Sequence, residues 1–347
     1  MPFLKNTWYM AAWATEISDK LMSRKILGES VLMYRGEEGQ IIAMGDICPH
    51  RFASLHLGKR LPGDIVECPY HGLRFGKSGA CVHNPHGDKK IPATARVKTY
   101  PIVERYGIVW LWPGRSELQN PDVIPDYSFL DNDGGWVFTN GQVQTFGVPM
   151  DLILDNLMDL SHAAYLHPMT VGSEAVSRGT MKVEEWDERT IMVRNWYPNG
   201  VPSNANVLSG AAKPDEIVDM WVDVRLNLPS AMFFDTGVVL TGESREKKGK
   251  SINSAQLLTP ESDQSTHYFW KAFMNYGMES PVVIAAIEQA ISAAFSSEDE
   301  PMIKNIHENM AGREFWSMNP VLLQTDAAAV RLRRLLASAG DREKQDD

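Results

Sequence analysis

The chain has 347 residues, of which 44% are hydrophobic and 22% charged, and its formal net charge is −10. This composition excludes a largely disordered chain or a fibrous repeat, and the acidic charge argues against nucleic acid or an anionic membrane as the main partner. The length allows two domains with sizeable cores. Three cysteines are too few for a disulfide-stapled secreted scaffold, which favours the reducing cytoplasm, and no apolar run is long enough to predict a membrane span.

The first third of the chain has the pattern of a small β-sheet domain. Two apolar runs, 31–34 and 41–44, flank a glycine-bounded turn and predict a hairpin, and a further strand is expected at 108–112. Prolines cluster directly after this strand, as expected of a linker. We therefore predict an N-terminal all-β domain over 1–120 and a second domain over 121–347.

Beyond the linker the pattern mixes helices with strands. The predicted elements are a helix over 151–167, strands over 190–196 and 221–228, one or two helices over 281–309 with Ser280 as N-cap, and an amphipathic helix over 326–338. The apolar stretch 282–295 is expected to be a buried helix, and the tail 341–347 is expected to fray.

Two short motifs in the first domain pair a cysteine with a histidine. They are Cys48-Pro49-His50-Arg51 and, after 17 residues, Cys68-Pro69-Tyr70-His71-Gly72. Four unrelated buried residues or a Cys₂His₂ zinc site are alternatives, but zinc sites usually pair Cys with Cys and His with His. The alternating pattern is typical of a Rieske [2Fe–2S] cluster, in which two thiolates hold one iron and two imidazoles the other. Cys81 is interpreted as a small buried residue and not as a ligand.

A second group of polar residues lies in the predicted helix 151–167. Asn156, Asp159 and His162 are spaced by three and are predicted to share one helix face. His167 lies five residues after His162, so both imidazoles can bind one metal only if the helix is distorted or ends between them, and Pro168 is compatible with such an end. A buried helix with two satisfied histidines is the alternative.

Two histidines need a carboxylate to form the facial triad of a non-haem Fe(II) oxygenase. The candidates are the adjacent Glu298, Asp299 and Glu300. Three consecutive carboxylates are usually a solvated face, and spacing does not choose among them, although Pro301 indicates a break that would aim one of them inward.

These motifs resemble the oxygenase components of Rieske non-haem iron oxygenases over nearly the whole chain. The segment 155–162, with both cluster motifs, is similar to the vanillate and dicamba O-demethylase branch, and 81–87 resembles dicamba monooxygenases. The resemblance implies an α+β chain: an all-β Rieske domain, then a catalytic domain with an antiparallel sheet flanked by helices in a helix-grip or START-like arrangement.

The resemblance also implies the roles of the site residues. His162, His167 and Asp299 would bind mononuclear Fe(II), Asn156 would lie near that iron, and Cys48, His50, Cys68 and His71 would bind the cluster. Asp159 would carry electrons from His71 of a neighbouring subunit, in a head-to-tail homotrimer. The implied partners are a ferredoxin, an NAD(P)H-dependent ferredoxin reductase, O₂ and a small aromatic substrate.

Departures from this branch concern the substrate. Where dicamba monooxygenases hold the substrate carboxylate with a His and a Trp, this chain has Gln256 and Ala290, whereas a pocket Asn is retained as Asn227. His267 is a further pocket candidate. The implied reaction is oxidative O-demethylation or N-dealkylation of an aromatic compound with release of an aldehyde. Because the pocket is larger and less cationic, a bulkier or less acidic substrate is expected, such as a chloroacetanilide.

Three rival functions remain open at this stage. A pure electron carrier would need only the first third of the chain, a zinc-binding structural protein would be colourless, and an aromatic ring hydroxylase would usually have a second subunit. Residues 48–98 hold nine basic and three acidic side chains, a local charge of +6. Such a segment is either an ordinary solvated face or a surface that attracts an acidic ferredoxin toward His50 and His71.

Overall fold

The structure is a computed structural model that describes residues 3–131, 136–276 and 280–346. The chain divides into two compact units. The N-terminal unit comprises Lys5–Asp131 together with Thr259–Asp263. The C-terminal unit comprises the remainder of the described chain.

The N-terminal unit is built from three small antiparallel sheets. Its strands are β1 (Tyr9–Trp13), β2 (Met22–Ile26), β3 (Glu29–Arg35), β4 (Ile41–Gly45), β5 (Lys59–Leu61), β6 (Ile65–Glu67), β7 (Arg74–Phe75), β8 (Cys81–His83), β9 (Ile102–Arg105) and β10 (Ile108–Leu111). They pair in the orders β1-β10-β9, β2-β3-β4 and β5-β6-β7-β8. The predicted hairpin is confirmed as β3 and β4, and the strand predicted at 108–112 is confirmed as β10.

Alternation along β3 directs its side chains into two separate cores. Leu32 and Tyr34 pack in one core with Cys48, Cys68 and apolar residues of the β5–β8 sheet. Val31 packs in the other core with apolar residues of β1 and β10. The 259–263 segment belongs to this unit because Thr259 donates a hydrogen bond to the Met10 carbonyl at 2.7 Å.

The C-terminal unit is organised around one large sheet. Its strands are β11 (Val137–Phe138), β12 (Gln142–Phe146), β13 (Thr180–Asp187), β14 (Thr190–Gly200), β15 (Val218–Asn227), β16 (Ala231–Leu240), β17 (Lys250–Ser262) and β18 (Ser265–Met274). The order is β11-β18-β17-β16-β15-β14-β13, and β12 also pairs with β18. Long antiparallel hairpins connect β13 through β16, so the predicted strands at 190–196 and 221–228 are confirmed.

Helices cover this sheet. They are α1 (Met150–Met158), α2 (Ala163–Leu166), α3 (Asn204–Leu208), α4 (Arg245–Lys248), α5 (Pro281–Ala293), α6 (Glu300–Met310) and α7 (Ala327–Asp346). Apolar residues of α1, α6 and α7 pack with inward side chains of β14 to β18 in the largest core cluster. Within the described ranges, every helix is too short or too polar to cross a lipid bilayer.

The prediction of one continuous helix over 151–167 is wrong. Helix α1 ends at Met158, and Asp159 has an extended backbone with φ −119° and ψ 95°. The Asp159 side chain then accepts a hydrogen bond from the Ser161 N–H at 2.9 Å and starts a 3₁₀ turn over Leu160–His162. A short aspartate side chain competes with the helical backbone in this way, which breaks the helix and removes the predicted shared face.

Two further predictions on helices need correction. Helix α5 is not buried: Val282 is 77% exposed, and Ile287 is the one α5 residue in the buried core among those described. The physical reason is that α5 covers a cavity, described below, with the face that holds Ile287, and its other face, with Val282, is open to solvent. The tail expected to fray from 341 is helical through residue 346 as the end of α7.

A buried arginine links α7 to α1. The Arg333 side chain, 4% exposed, donates from Nε to both carboxylate oxygens of Asp155 at 2.9 and 3.0 Å and from Nη1 to Asp151 at 3.1 Å. Its guanidinium also lies 4.4 Å from the centroid of the Phe315 ring. Burial disfavours the charge, but the hydrogen bonds and charges of Asp155 and Asp151 outweigh it and raise the pKa of Arg333.

Replacing this arginine is expected to destabilise the C-terminal unit. Arg333→Met leaves two carboxylates without their partner, and loss of one member of a buried pair costs about 3–5 kcal/mol. Denaturant unfolding followed by circular dichroism measures the change. The matched control is Arg331→Met, since Arg331 pairs with Glu185 at 3.1 Å with both side chains more than 40% exposed, and such surface pairs contribute about 0–1 kcal/mol. Equal stability losses in the two variants would contradict the role of Arg333.

Candidate metal centres

The two cysteine–histidine motifs form matching loops in the N-terminal unit. In the first loop the Cys48 N–H donates to Ala53 O at 2.9 Å, and the Phe52 N–H donates to Cys48 O at 2.9 Å. In the second loop the Cys68 N–H donates to Leu73 O at 2.8 Å, and the Gly72 N–H donates to Cys68 O at 3.1 Å. The same pair of backbone hydrogen bonds therefore closes each loop around one cysteine and one histidine.

Each loop turns through a left-handed residue at the same place. Gly72 has φ +67° and Phe52 has φ +62° at the equivalent position. A bulky residue is rare in this region, so the first loop holds a strained backbone conformation that its hydrogen bonds must maintain. The Phe52 side chain is 76% exposed.

The four predicted cluster ligands converge. Cys48 and Cys68 are buried, His50 is exposed and His71 partly exposed, and the two imidazole centroids are 4.5 Å apart. Burial and the adjacent Cys68 thiol raise the pKa of Cys48 to about 11. Desolvation, with the neighbouring His50, His86 and Arg51, lowers the pKa of His71. Two buried cysteines, which bind iron as thiolates, and two histidines, of which His71 is kept neutral, form a donor set that fits an iron centre.

Residues next to the two loops make hydrogen-bond contacts that support them. His86 Nε2 is 2.8 Å from the His71 carbonyl oxygen, and His56 Nδ1 is 2.6 Å from the buried Asp46 carboxylate. The Cys81 thiol is buried and donates to the His83 carbonyl at 3.3 Å, in line with the structural role predicted for it. His56 and His86 therefore have structural partners.

The second group assembles in the C-terminal unit, where the break at Asp159 sets its geometry. The Asp159 carbonyl is 2.6 Å from His162 Nδ1, which leaves the Nε2 atom of this ring facing Asn156 at 3.5 Å. His167 follows the last residue of α2 and is buried. The sequence required a helix that is distorted or that ends between the two histidines. The structure has a distortion: the helix breaks at Asp159, His162 closes a 3₁₀ turn, and the short α2 leads to His167.

The third member, Asp299, comes from a distant part of the chain. Its Oδ1 atom is 3.1 Å from His167 Nε2 and 3.5 Å from His162 Nε2, and it accepts a hydrogen bond from Asn156 Nδ2 at 3.0 Å. One potential ligand atom from each of His162, His167 and Asp299 lies within 4.8 Å of the others. Atoms on neighbouring positions of one ion lie about 3 Å apart when each bond is about 2.1 Å, so this donor set fits a facial triad.

Electrostatics at the triad favour an ionised carboxylate. Burial opposes the charge on Asp299, but hydrogen bonds from His162, His167 and Asn156, with the charge of His167, lower its pKa to about 2. Burial likewise disfavours a charged His167, yet Asp299 and Glu298 raise its pKa. An anionic oxygen facing two imidazoles is an environment that a divalent cation stabilises.

A π-helical turn over Ala294–Asp299 aims this carboxylate inward. The Glu300 N–H donates to Phe295 O, five residues back, and Pro301 has no N–H with which to continue a regular α-helical ladder. The helix does not break at Pro301 but widens into this π-helical turn just before it. Asp299 is buried, while Glu300 pairs with Lys304 at 2.7 Å.

An apolar cavity of about 210 Å³ opens beside the triad. It lies between the inner face of α5 and strands β15 to β17. Its apolar walls include Leu208, Trp221, Phe234, Ile252, Ile287 and Phe295. Trp221 is held in place because its indole N–H donates to Asp235 at 2.9 Å and the Arg245 guanidinium lies 4.3 Å from its ring centroid.

The four predicted substrate residues divide into two groups. Gln256 and Ala290 line the cavity, but neither Asn227 nor His267 does. The Asn227 amide donates to Thr190 Oγ1 at 3.0 Å at the end of β15, and His267 Nδ1 is 3.0 Å from Thr145 Oγ1. The sequence reasoning did not single out Trp221, and it considered Glu298 only as a candidate iron ligand and not as a partner of His167.

Two family descriptions match the chain. The Rieske [2Fe–2S] domain matches residues 7–101, and the vanillate O-demethylase oxygenase C-terminal domain matches residues 146–342. These ranges contain all the predicted cluster ligands and the whole predicted triad, respectively.

Relatives cover nearly the whole chain. The chain is 40% identical to the oxygenase component of chloroacetanilide N-alkylformylase from Rhizorhabdus wittichii, over 97% of this chain and 95% of the relative. It is 38% identical to the oxygenase component of dicamba O-demethylase from Stenotrophomonas maltophilia, over 96% and 97%. A crystal structure of dicamba monooxygenase bound to 3,6-dichlorosalicylic acid superimposes with a TM-score of 0.90 at 35% identity, over 99% of each chain. Together with the two converging sets of candidate metal ligands, these matches show that the chain belongs to the Rieske non-haem iron oxygenases with a vanillate O-demethylase-type catalytic domain, enzymes that use a [2Fe–2S] cluster and a mononuclear iron.

Proposed function

We propose that this oxygenase removes an N-alkyl group from a neutral aromatic amide of the chloroacetanilide type, with His162, His167 and Asp299 holding the iron. The observation that carries the proposal is the neutral polar chemistry of the cavity. Gln256 presents an amide whose oxygen accepts from the Tyr268 hydroxyl and whose Nε2 donates to Ser254 at 2.9 Å. An amide held in this way provides no charge with which to bind a carboxylate.

The shape of the cavity supports the same substrate class. The small side chain of Ala290 lines the cavity on the inner face of α5, where it leaves more space than a large aromatic side chain would. The apolar lining suits a neutral ligand, since apolar contact supplies most of the affinity in such cavities. The matched N-alkylformylase component is named for chloroacetanilides.

The proposed reaction inserts one oxygen atom of O₂ into a C–H bond beside the amide nitrogen. Two electrons and two protons reduce the other oxygen atom to water, and the resulting hemiaminal breaks its C–N bond to give an aldehyde and the N–H amide. The iron supplies O₂ activation and the cluster supplies electrons. The chain itself orients the alkyl group toward the triad, excludes water with its apolar walls, and holds both ligand histidines through their Nδ1 atoms.

A panel assay tests this function. Purified protein, supplied with a surrogate ferredoxin and reductase, is given chloroacetanilides and methoxybenzoates, and released aldehyde is measured against O₂ consumed. We expect faster coupled turnover of the chloroacetanilides. Preference for a methoxybenzoate would overturn the proposed substrate class, and hydroxylated aromatic product without aldehyde would show ring hydroxylation instead.

O-demethylation of an aromatic acid is the second candidate. It is favoured by Lys250, the one Lys or Arg among the described cavity-lining residues, although this exposed ammonium donates to the Gly210 carbonyl at 2.9 Å. If Lys250 binds a substrate carboxylate, Lys250→Met would raise the KM for a methoxybenzoate and leave that for a chloroacetanilide unchanged.

A single substitution should move the preference toward acids. Gln256→His introduces an imidazole that can donate to a carboxylate, and a hydrogen bond to a charged group is worth about 1.5–3 kcal/mol, so we expect at least about tenfold tighter binding of methoxybenzoate. Tryptophan fluorescence titration measures the affinity. Gln289→His, which adds the same group on the exposed side of α5, is the control and should change nothing. Unchanged affinity in Gln256→His would contradict the assigned role of this position.

We also propose that a ferredoxin and its NAD(P)H-dependent reductase supply the electrons and that the chain works as a homotrimer.

The 48–98 segment offers a positive surface for the ferredoxin. Four of its basic residues have acidic partners: Arg60, Arg74, Lys90 and Lys98. Arg51 is exposed next to His50 in the sequence, so a positive charge remains near the cluster ligands. Reduction by an acidic ferredoxin should therefore slow as salt is added, and salt-insensitive reduction would remove the steering role. Analytical ultracentrifugation tests the trimer.

A further inference from the structure

One buried histidine of the triad contacts a carboxylate with each of its two ring nitrogens. His167 Nε2 faces Asp299 Oδ1 at 3.1 Å, and His167 Nδ1 lies 2.7 Å from Oε2 of Glu298. The same Glu298 oxygen accepts a hydrogen bond from Thr170 Oγ1 at 2.7 Å. The other triad histidine, His162, uses a backbone carbonyl at the corresponding nitrogen.

The π-helical turn allows two consecutive residues, Glu298 and Asp299, to contact the two nitrogens of the His167 ring. In a regular α-helix, neighbouring side chains diverge by about 100° and do not face one small group together. In the wider turn over Ala294–Asp299, Glu298 and Asp299 reach opposite nitrogens of the same imidazole. The third acidic residue, Glu300, instead pairs with Lys304.

We infer that Glu298 is a positioning residue for the iron site. Its carboxylate accepts the Nδ1 proton of His167, so the ring is held as the tautomer whose Nε2 lone pair faces the metal. Thr170 keeps the carboxylate in place, because the hydroxyl donates to the same oxygen. A carboxylate behind a ligand imidazole orients the ring and increases its basicity, and loss of such a partner weakens metal binding about 10–100-fold. The inference rests on the proposed function of His167 and Asp299 as iron ligands.

Metal binding tests this role without relying on turnover. Glu298→Ala, Glu298→Gln and the matched control Glu300→Gln are stripped of mononuclear iron and titrated anaerobically with Fe(II), and bound metal is read from the EPR signal of the nitric oxide adduct. We expect Fe(II) affinity to fall about 10–100-fold in Glu298→Ala, with an altered EPR line shape. Glu298→Gln retains an acceptor oxygen and should recover part of the affinity, and Glu300→Gln should match the unsubstituted protein.

The visible spectrum of the cluster and the circular dichroism of each variant report folding separately. Thr170→Val provides a second, milder test, since it removes only the hydroxyl that holds Glu298, and a loss smaller than that of Glu298→Ala is expected. Unchanged Fe(II) affinity and EPR line shape in Glu298→Ala would overturn the inference. The variant Asp299→Asn distinguishes a wrong role for Glu298 from a wrong assignment of the iron ligands. If Asp299→Asn also binds Fe(II) normally, the assigned ligands are wrong.

Discussion

Asp299→Asn is expected to remove the mononuclear iron and abolish turnover while the cluster stays intact. The substitution keeps the size of the side chain but removes the charge from a buried group that faces two imidazoles within 3.5 Å. A neutral amide is a poor replacement for an anionic ligand on a hard divalent cation. The iron content should fall from about three atoms per chain to about two, because the [2Fe–2S] cluster accounts for two. The content of acid-labile sulfide should stay unchanged.

The control for this variant is Glu300→Gln, which neutralises the next residue in the same acidic run. Glu300 forms an ion pair with Lys304 and makes no contact with the triad histidines in the described structure, so iron content and turnover should be retained. Retention of about three irons per chain by Asp299→Asn would contradict the assigned ligand set. Loss of sulfide along with iron would indicate damage to the cluster instead.

Asp159→Asn is expected to keep both metal centres and yet abolish coupled turnover. An asparagine can accept the Ser161 N–H as the aspartate does, and the His162 Nδ1 contact uses the backbone carbonyl, so the local geometry should persist. What is lost is the carboxylate proposed to carry electrons from His71 of a neighbouring subunit. Iron and sulfide analysis measures the content of both metal centres. Chemical reduction tests whether the cluster still accepts electrons, and aldehyde release measures coupled turnover.

Normal turnover of Asp159→Asn would refute the bridging role. A mixing experiment then asks whether the path crosses between subunits. A cluster-deficient variant, Cys68→Ser, and the iron-deficient Asp299→Asn are each expected to be inactive alone. Mixed oligomers should recover part of the activity if electrons pass from the cluster of one chain to the iron of the next. No recovery in oligomers proven to be mixed would favour transfer within one chain.

The cluster loops could be predicted almost completely from the sequence, because their geometry is local. Each loop places its cysteine and histidine within four residues, and backbone hydrogen bonds between near neighbours close it. The β3–β4 hairpin and the strands of the large sheet are visible in the same way, since alternation of apolar residues reports a half-buried strand directly.

The triad was only partly predictable. Residue types and spacing indicated His162 and His167, but the continuous helix inferred for them was wrong because the Asp159 side chain competes with the helical backbone. Periodicity counts apolar positions and does not weigh this local competition. Helix α5 illustrates a similar limit: its apolar pattern predicted burial, but the helix covers a cavity with one face and exposes Val282 on the other.

The sequence by itself determined the ligand types, the two-part organisation and the chemistry of a Rieske oxygenase. Only the tertiary structure decided which carboxylate meets the histidines and what holds them. Asp299 and Glu298 reach His167 from more than 130 residues away, through a π-helical turn that no local pattern specifies. Local motifs encode donor atoms, but the distances between donors depend on how the sheet and helices pack, and for this protein that packing assigned the three adjacent acids their separate partners.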